Sequence, residues 1–207
     1  MTEYEKCLQG LPFDGAQPPM SDMVATARRY MKLLRETDYD DRNARDAIFR
    51  ELLGAIGTDV YIDVDFHCEY GKHIFIGNRT IINQNCTFID NNYIRIGSDV
   101  LIASNVQIYT ATHSTSASER IMPDWAEGKS LCRTIAHPVT VGDGAWLGGG
   151  VIVLPGVTIG AGAVIGAGSV VTRDIPDNAV AVGNPCRVIK INKRSVKFNT
   201  YIVSVSY

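Results

Sequence analysis

The sequence lacks both a strongly charged character and a long apolar stretch. Its 20 Lys and Arg are balanced by 22 Asp and Glu, the net charge is −2, and no basic run exceeds two residues. Nucleic-acid-binding domains carry clustered basic residues, so this composition argues against that class. The first thirty residues contain charges throughout and no apolar stretch as long as a signal peptide or a membrane span requires. We therefore expect a cytoplasmic protein with no nucleic-acid or membrane partner.

Cysteine and histidine are also sparse. The cysteines are odd in number and form no C-x-x-C pair, which argues against a disulfide framework or a zinc site. The four histidines lack the spacing of a metal-binding set, so we expect no metal requirement. Apolar residues make up 45% of the 207, enough for a substantial core. We expect all five cysteines to be reduced packing residues: Cys7, Cys68, Cys86, Cys132 and Cys186.

The composition changes near residue 57, and residues 1–57 have a helical pattern. Apolar residues recur at helical spacing before Thr37, which predicts a helix capped by Ser21 or Asp22. A second helix is predicted from about residue 41 to residue 53. The Gly- and Pro-rich residues before the first helix are predicted to form an irregular arm. The chain therefore begins with a small helical region.

From residue 58 to residue 192 the dominant feature is a six-residue repeat of aliphatic positions. A period of six fits a short strand with one inward side chain, followed by a tight corner where Gly or Asn tolerates positive φ. Three such steps close one triangular coil, and stacked coils bury a continuous column, which predicts a parallel β-helix. The first block has one eight-residue step, after its third position, and the second block is strictly periodic. The repeat positions are Ile76, Ile82, Phe88, Ile96, Ile102 and Ile108, then Val141, Leu147, Val153, Ile159, Ile165 and Val171.

The interval between the two blocks, residues 114–137, has no hexapeptide register. It is predicted to leave the coil as an extruded loop, and loops of this length in compact folds are usually functional. After Val171 the pattern stops, so the β-helix is expected to end there. Residues 193–207 form a C-terminal tail that is too weakly patterned to place.

Five motifs stand in order along the repeat region and carry a family resemblance. They are YTATHS at 109–114, PVTVGDGAWLG at 138–148, PGVTIG at 155–160, GAGSVVTRD at 166–174 and GNPCR at 183–187. Together with the helical region before them, they resemble the maltose and galactoside O-acetyltransferases. The resemblance implies a mainly β fold, a left-handed parallel β-helix of hexapeptide repeats. It also implies an acetyl-CoA-dependent O-acetyltransferase that works as a homotrimer, with each active site between two subunits.

The resemblance also indicates catalytic residues. His113 ends a repeat just before the extruded loop and matches the family's catalytic histidine, and imidazole groups titrate near neutral pH. Asn83 matches the asparagine that binds the acceptor hydroxyl, although Asn is also a common corner residue in such coils. For His67, His73 and His137 we expect structural roles.

The candidate acceptor contacts are Asp14, Glu69, Asn83 and Asn91. Asp14 is equally well explained by an Asx turn. Asn91 stands where relatives often carry an acidic residue, and Glu69 where some carry a small polar one. Arg133 stands where relatives carry an acidic residue before the loop's closing Pro. These departures predict that simple galactosides and maltose are poor acceptors, and they favour an acceptor with a negative charge that Arg133 would meet.

The co-substrate implied is acetyl-CoA. Trp146 and the backbone of Gly149 match the family's pantetheine channel, and Ala167 matches a position whose backbone meets the pantetheine amide. The nucleotide phosphates require cations and free N–H groups. Four residues after the last coil match that role: Thr172, Arg173, Arg187 and Lys190. Tight coil packing is the structural alternative for the glycines, and simple solvation is the alternative for the cations.

The sequence is also compatible with two other functions. A xenobiotic O-acetyltransferase acting on an antibiotic hydroxyl would use the same donor and the same base. A non-catalytic β-helix scaffold would be expected to lack the histidine, and His113 argues against it.

Overall fold

The computed structural model describes residues 1–123 and 125–192. Short strands form three faces of a prism that the chain visits in rotation, and each strand pairs in parallel with the coils before and after it. Face 1 contains Ala55–Ile56, Ile74–Ile76, Ile94–Ile96, Val139–Val141 and Thr158–Ile159. Face 2 contains Tyr61–Ile62, Ile81–Ile82, Leu101–Ile102, Trp146–Leu147, Val164–Ile165, Ala179–Val182 and, antiparallel to the rest, Arg187–Ile191. Face 3 contains His67–Cys68, Thr87–Ile89, Gln107–Tyr109, Ile152–Val153 and Val170–Val171. We call the turns between faces corner 1–2, corner 2–3 and corner 3–1.

The predicted repeat positions form the core of this parallel β-helix. All twelve of those side chains are at most 4% exposed. The small or β-branched residues at the corners, including Ala145, Val151 and Ala163, are also buried. The six-residue period therefore identified the inward positions correctly.

The coil extends beyond the predicted repeat at both ends. Ile56, Ile62 and Cys68 form one earlier coil, and the step from Cys68 to Ile76 is again eight residues. The expectation that the β-helix ends at Val171 is wrong, because Ile175 bridges Ile159 in parallel and Ala179–Val182 pairs with Val164–Ile165. The step from Val171 to the next inward residue, Ile175, is four residues instead of six, so the six-residue spacing does not reveal this last partial coil.

The corners use two different properties of small residues. Positive φ falls at the third corner residue, for example +59° at Asn85 and +68° at Gly150. The glycines that directly follow an inward residue have ordinary φ and are required instead by close packing. A Cβ on Gly148 would lie 2.6 Å from the backbone N of Ala167 in the next coil.

Three helices precede the coil: α1 (Glu3–Leu8), α2 (Met20–Glu36) and α3 (Arg42–Leu52). No helix was predicted before the irregular arm, where α1 begins with a capping box formed by Thr2 and Glu5. The predicted cap of α2 is wrong, because the helix begins at Met20 directly after Pro19 with no side-chain cap. The second prediction is confirmed, with Asp41 accepting a hydrogen bond from the Ala44 N–H at 3.0 Å.

Helices α2 and α3 close the open end of the first coil. Phe49 of α3 packs edge-on against Phe66, and Phe66 packs edge-on against Phe88, with ring centroids 5.9 and 5.3 Å apart. Leu34 of α2 belongs to the same buried cluster. Helices α2 and α3 therefore continue the aliphatic column. The first residues of the chain pack apart from it, in a smaller buried cluster of Cys7, Phe13, Met20, Tyr70 and Ala136.

The extruded loop leaves the coil, as predicted, and the structure places it at corner 3–1. Ala111–Thr112 and Ile135–Ala136 form a short antiparallel ribbon at its base, and a one-turn helix α4 (Ala117–Arg120) lies within it. The coils on either side of the loop stack directly, because Ile94–Ile96 pairs with Val139–Val141. The loop thus adds a feature to one corner without interrupting the column.

All five cysteines are free. Four are buried, as expected, and Cys132 is half-buried in the extruded loop.

Over residues 1–123 and 125–192, no helix combines the length and the apolar character that crossing a bilayer would require.

Candidate active site

A cavity of about 560 Å³ lies at corner 3–1, between the coil, α2 and the extruded loop. Its walls combine three consecutive coils with the N-terminal arm, α2 and the extruded loop, so they draw on residues from Phe13 to Thr134. Three residues singled out in the sequence, Glu69, Asn91 and His113, meet there. The lining residues are Phe13, Gly15, Ala16, Ser21, Val24, Arg28, Glu69, Tyr70, Ile89, Asn91, Ala111, His113, Ser130 and Thr134.

His113 is positioned by the ribbon at the base of the loop. It follows Thr112, whose partner across the ribbon is Ile135. The imidazole is exposed, and its Nδ1 lies 2.7 Å from the carbonyl oxygen of Arg133. A carbonyl can only accept, so Nδ1 carries the proton of the neutral ring, and Nε2 then has a free lone pair. The geometry therefore presents a basic nitrogen at the cavity.

Glu69 and Arg28 bring opposite charges to the same cavity. Burial raises the pKa of Glu69, and the nearby Arg28 charge opposes this shift. No ion pair joins the two, and no hydrogen bond to the Glu69 carboxylate occurs within the part of the chain that the structure describes. Both groups are therefore available to a bound molecule.

A buried network beneath the cavity holds Glu69 and Asn91 in place. Asp90 Oδ1 accepts hydrogen bonds from the N–H groups of Glu69 and Tyr70 at 2.9 and 2.8 Å. His73 Nδ1 lies 3.1 Å from the carbonyl oxygens of Asp90 and Asn91, and its Nε2 lies 2.9 Å from the Tyr4 hydroxyl. Burial raises the pKa of Asp90 to about 6, against the effect of these N–H donors, and burial lowers the pKa of His73.

Asp14 lies beside this cavity and does not line it. It borders an adjoining cavity of about 500 Å³ together with Gln17, Ser130 and Arg133. Its Oδ1 accepts hydrogen bonds from the N–H groups of Ala16 and Ser130, each at 3.0 Å. The bond to Ala16 is the Asx-turn geometry that the sequence left as an alternative.

Arg133 does not place a positive charge in the His113 cavity, contrary to the prediction that it would meet a negatively charged acceptor there. Its exposed guanidinium borders the adjoining cavity and contacts the Met122 sulfur, so it does not line the His113 cavity. The cation that does so is Arg28, for which no role was predicted from the sequence. Ser21, Val24 and Arg28 share one face of α2 by their helical spacing, and that spacing is the signal that would have found it.

Asn83 lies on a different corner from His113. It follows a face 2 strand at corner 2–3, where its Nδ2 donates to the Ile102 carbonyl at 3.1 Å. Gly149 and Ala167 lie on the same corner two and three coils further on. Within one chain, Asn83 therefore aligns with the residues predicted to bind the co-substrate and does not meet His113.

Two backbone N–H groups on corner 2–3 are free to donate. Among the described residues, neither the Gly149 N–H nor the Ala167 N–H has a hydrogen-bond acceptor. The matching N–H on corner 1–2, that of Ala161, donates to Asp177 Oδ1 at 2.9 Å. Trp146 stands on face 2 beside this corner and is 51% exposed.

The four residues predicted to bind phosphates fall into two groups. Thr172 and Arg173 follow the last strand of face 3 and lie at corner 3–1, whereas Arg187 and Lys190 lie on the antiparallel end strand of face 2. All four are exposed, and none of the three cations forms an ion pair with a described residue. Arg187 and Lys190 are the pair on the same face as Trp146.

The remaining histidines do not join the cavity. His73 is buried in the network described above, and His67 and His137 are exposed on the coil. Outside Asp124 and residues 193–207, which the structure leaves undescribed, no group of three His, Cys, Asp or Glu residues is arranged to hold a metal ion.

Comparison with known proteins identifies the class. Residues 138–173 match the family model for the bacterial transferase hexapeptide in six repeats, and residues 6–57 match that for the maltose acetyltransferase hexapeptide capping motif. A maltose O-acetyltransferase from Clostridium difficile 630 is 41% identical, with a TM-score of 0.85 over 93% of this chain and 99% of that one.

Two further solved structures contain the coenzyme. A hexapeptide-repeat acetyltransferase from Vibrio cholerae O1 biovar eltor, complexed with acetyl coenzyme A, is 38% identical, with a TM-score of 0.82 over 93% of this chain and 100% of that one. A galactoside acetyltransferase in complex with coenzyme A is 30% identical, with a TM-score of 0.86 over the whole of both chains.

The fold and these relatives define a hexapeptide-repeat acyltransferase with a left-handed parallel β-helix. The chain belongs to the maltose and galactoside O-acetyltransferase family and is an acetyltransferase of that type.

Proposed function

We propose that this enzyme transfers the acetyl group of acetyl-CoA to a hydroxyl of a sugar or glycoside, with His113 as the general base. The observation that carries this proposal is the 2.7 Å hydrogen bond from His113 Nδ1 to the Arg133 carbonyl. In the neutral ring this bond places the proton on Nδ1, so Nε2 is at the cavity and able to accept a hydroxyl proton. The same carbonyl dipole stabilises the imidazolium that forms after proton transfer.

The reaction follows from these groups. Nε2 of His113 takes the proton from the acceptor hydroxyl as its oxygen attacks the thioester carbonyl carbon. Backbone N–H groups stabilise the negative oxygen of the tetrahedral intermediate. When the intermediate collapses, the C–S bond breaks and the coenzyme A thiolate takes the proton from the imidazolium. The products are an O-acetyl ester and free coenzyme A, and His113 is returned to its neutral form.

The free N–H groups of corner 2–3 support a coenzyme site along face 2. Neighbouring coils are about 4.8 Å apart, so the Gly149 and Ala167 N–H groups form a short ladder of donors suited to the amides of an extended pantetheine arm. Trp146 supplies an apolar wall beside them, and Arg187 and Lys190 supply positive charge at the end of the same face. Thr172 and Arg173 would contribute from corner 3–1. The two relatives solved with acetyl coenzyme A or coenzyme A support the presence of a coenzyme site.

A site shared between subunits explains why Asn83 and His113 lie on different corners. If corner 2–3 of one subunit faces corner 3–1 of a neighbour, Asn83 and the N–H ladder come to the His113 cavity of that neighbour. Face 2 supports such an interface, because Ile81, Leu101 and Trp146 form an exposed apolar stripe, 39, 46 and 51% accessible. Three copies would close such a contact symmetrically, which gives a homotrimer.

The test is the rate of thiol release from acetyl-CoA with a panel of glycosides, amino alcohols and antibiotics. We expect His113→Ala to stay folded and to lose about 10²- to 10⁴-fold in turnover, the range attributed to general base catalysis. His137→Ala, at another exposed histidine, is the matched control and keeps wild-type turnover. Near wild-type turnover of His113→Ala refutes the assignment of the base. An antibiotic as the best acceptor replaces the sugar by the xenobiotic class.

A further inference from the structure

We propose that the N-terminal arm, residues 9–19, sets the tautomer and orientation of His113, with Asp14 as the positioning residue that clamps this arm to the extruded loop. The inference rests on the proposed role of His113 as the base.

A single peptide group connects the arm to the imidazole. Its carbonyl, from Arg133, accepts the hydrogen bond from His113 Nδ1 at 2.7 Å. Its N–H, from Thr134, donates to the carbonyl of Phe13 at 3.2 Å, and the Phe13 N–H donates back to the Thr134 carbonyl at 2.9 Å. The plane of this peptide is therefore fixed by the arm. Because hydrogen bonds in series polarise one another, the Phe13 contact also strengthens the acceptor that faces His113.

Asp14 holds the arm in this position. Its Oδ1 joins the N–H of Ala16, in the arm, to the N–H of Ser130, in the loop, each at 3.0 Å. Gln17 Nε2 donates to Asp14 Oδ2 at 3.2 Å and to the loop carbonyl of Gly128 at 3.1 Å.

The environment of the carboxylate supports an internal role. Burial acts to raise the pKa of Asp14, but the hydrogen bonds from Ser130 and Ala16 outweigh it and lower the pKa, which keeps the group ionised. The carboxylate borders the adjoining cavity and does not line the one that contains His113. It therefore acts on the base through the loop, without touching the acceptor in the same cavity.

The kinetic test separates this role from a direct sugar contact. We expect Asp14→Ala to lower kcat by about 10- to 100-fold, the scale of a 1 Å misplacement of a reacting group. The loss should be equal for transfer to an acceptor and for hydrolysis of acetyl-CoA by water, and the acceptor KM should change less than about threefold. Asp14→Asn, whose amide oxygen still accepts both N–H groups, should retain most activity. Asp22→Ala, at an exposed position of α2, is the control. A raised acceptor KM with unchanged hydrolysis overturns the proposal.

A spectroscopic readout is independent of activity. With only four histidines in the chain, ¹⁵N-histidine NMR resolves each ring, and the His113 signals are those missing from His113→Ala. We expect the Nδ1–H tautomer in the wild type and in Asp14→Asn, and a shift toward Nε2–H in folded Asp14→Ala. An unchanged tautomer in Asp14→Ala refutes the coupling.

Two outcomes keep the proposals distinct. If Asp14→Ala does not fold, Asp14→Asn decides, since loss of its activity or of the Nδ1–H tautomer contradicts the clamp. If His113→Ala remains active while Asp14→Ala still shifts the tautomer, the assigned base is wrong and the coupling between the arm and His113 stands.

Discussion

Replacing Gly148 by Ala tests whether close packing of consecutive coils supports both stability and the coenzyme site. The backbone φ of Gly148 is ordinary, so the substitution introduces no dihedral strain. The added Cβ would lie 2.6 Å from the N of Ala167 and 3.0 Å from its Cα and from the Ile165 carbonyl oxygen. All three are backbone atoms of the next coil and cannot rotate away. The two coils must therefore separate at corner 2–3.

The expected loss of stability is estimated by comparison with Gly144, which has a positive φ but an open Cβ position. Gly144 has φ +67° and nothing within 4 Å of its Cβ position, so Gly144→Ala introduces only dihedral strain, about 1–2 kcal/mol. Overpacking of a dense interior costs about 1–3 kcal/mol and more where the clash is with backbone. We expect Gly148→Ala to lower the free energy of unfolding by at least about 3 kcal/mol. For a chain of this length that corresponds to a fall in Tm of at least about 6 °C.

Thermal and urea unfolding of the two variants at one protein concentration, followed by circular dichroism, measures this difference. Thiol-release assays then measure kcat/KM for acetyl-CoA. Because the clash displaces the Ala167 N–H from the Gly149 N–H, we also expect a lower kcat/KM for acetyl-CoA in Gly148→Ala than in Gly144→Ala. Equal Tm values for the two variants would refute the packing argument, and an unchanged kcat/KM in Gly148→Ala would refute the role of this corner in binding the coenzyme.

Three further predictions concern assembly, acceptor binding and pH. Sedimentation at micromolar concentration should give a trimer mass, and a mass near 23 kDa would rule out a shared site. Glu69→Gln should raise the acceptor KM by about 10- to 100-fold, because hydrogen bonds to a charged group contribute about that factor to binding. The KM for acetyl-CoA should stay unchanged, and an equal rise in both KM values contradicts the assigned role of Glu69. Because the pKa of His73 is lowered in the fold, the unfolded chain binds the extra proton, so stability is lost as pH falls below about 6.5. Urea titrations at pH 7.5 and 5.5 should show a smaller loss in His73→Gln, and equal losses would argue against this.

The fold was predictable because the six-residue spacing of its aliphatic residues is typical of a parallel β-helix. One inward aliphatic residue every six positions fixes the faces, and those residues are the buried column that the structure contains. The prediction failed at the two ends of the β-helix, where the six-residue spacing of aliphatic residues is interrupted. Cys68 is a less obvious core residue than Ile, and the four-residue step to Ile175 breaks the count. Helix α1 is too short for a clear apolar periodicity, and only its capping box, from Thr2 to Glu5, marks its start.

The site was predictable only in part, because its walls come from segments that no local pattern connects. His113 was identified through a motif, and Asn91 and Glu69 through their departure from the family pattern; all three line one cavity. Arg28 was missed because an arginine on an amphipathic helix normally belongs to its solvated face. The separation between Asp14 and the cavity depends on how the arm pairs with the loop across more than a hundred residues.

The departures from the repeat nevertheless carry the functional signal. Between coils the step is eight residues at Cys68 to Ile76, eight at Phe88 to Ile96, and thirty-three at Ile108 to Val141, and each of these falls at corner 3–1. The inserted residues are those that face the cavity: Glu69 and Tyr70 in the first step, Asn91 in the second, and His113, Ser130 and Thr134 in the third. Later coils pass the same corner in six residues or fewer and line no part of the cavity. A six-residue corner has room only for the turn itself, whereas the longer ones project side chains beyond the prism without disturbing the column. In this β-helix the strict period therefore stabilises the scaffold, and its three longest interruptions, stacked on one corner, build the candidate site.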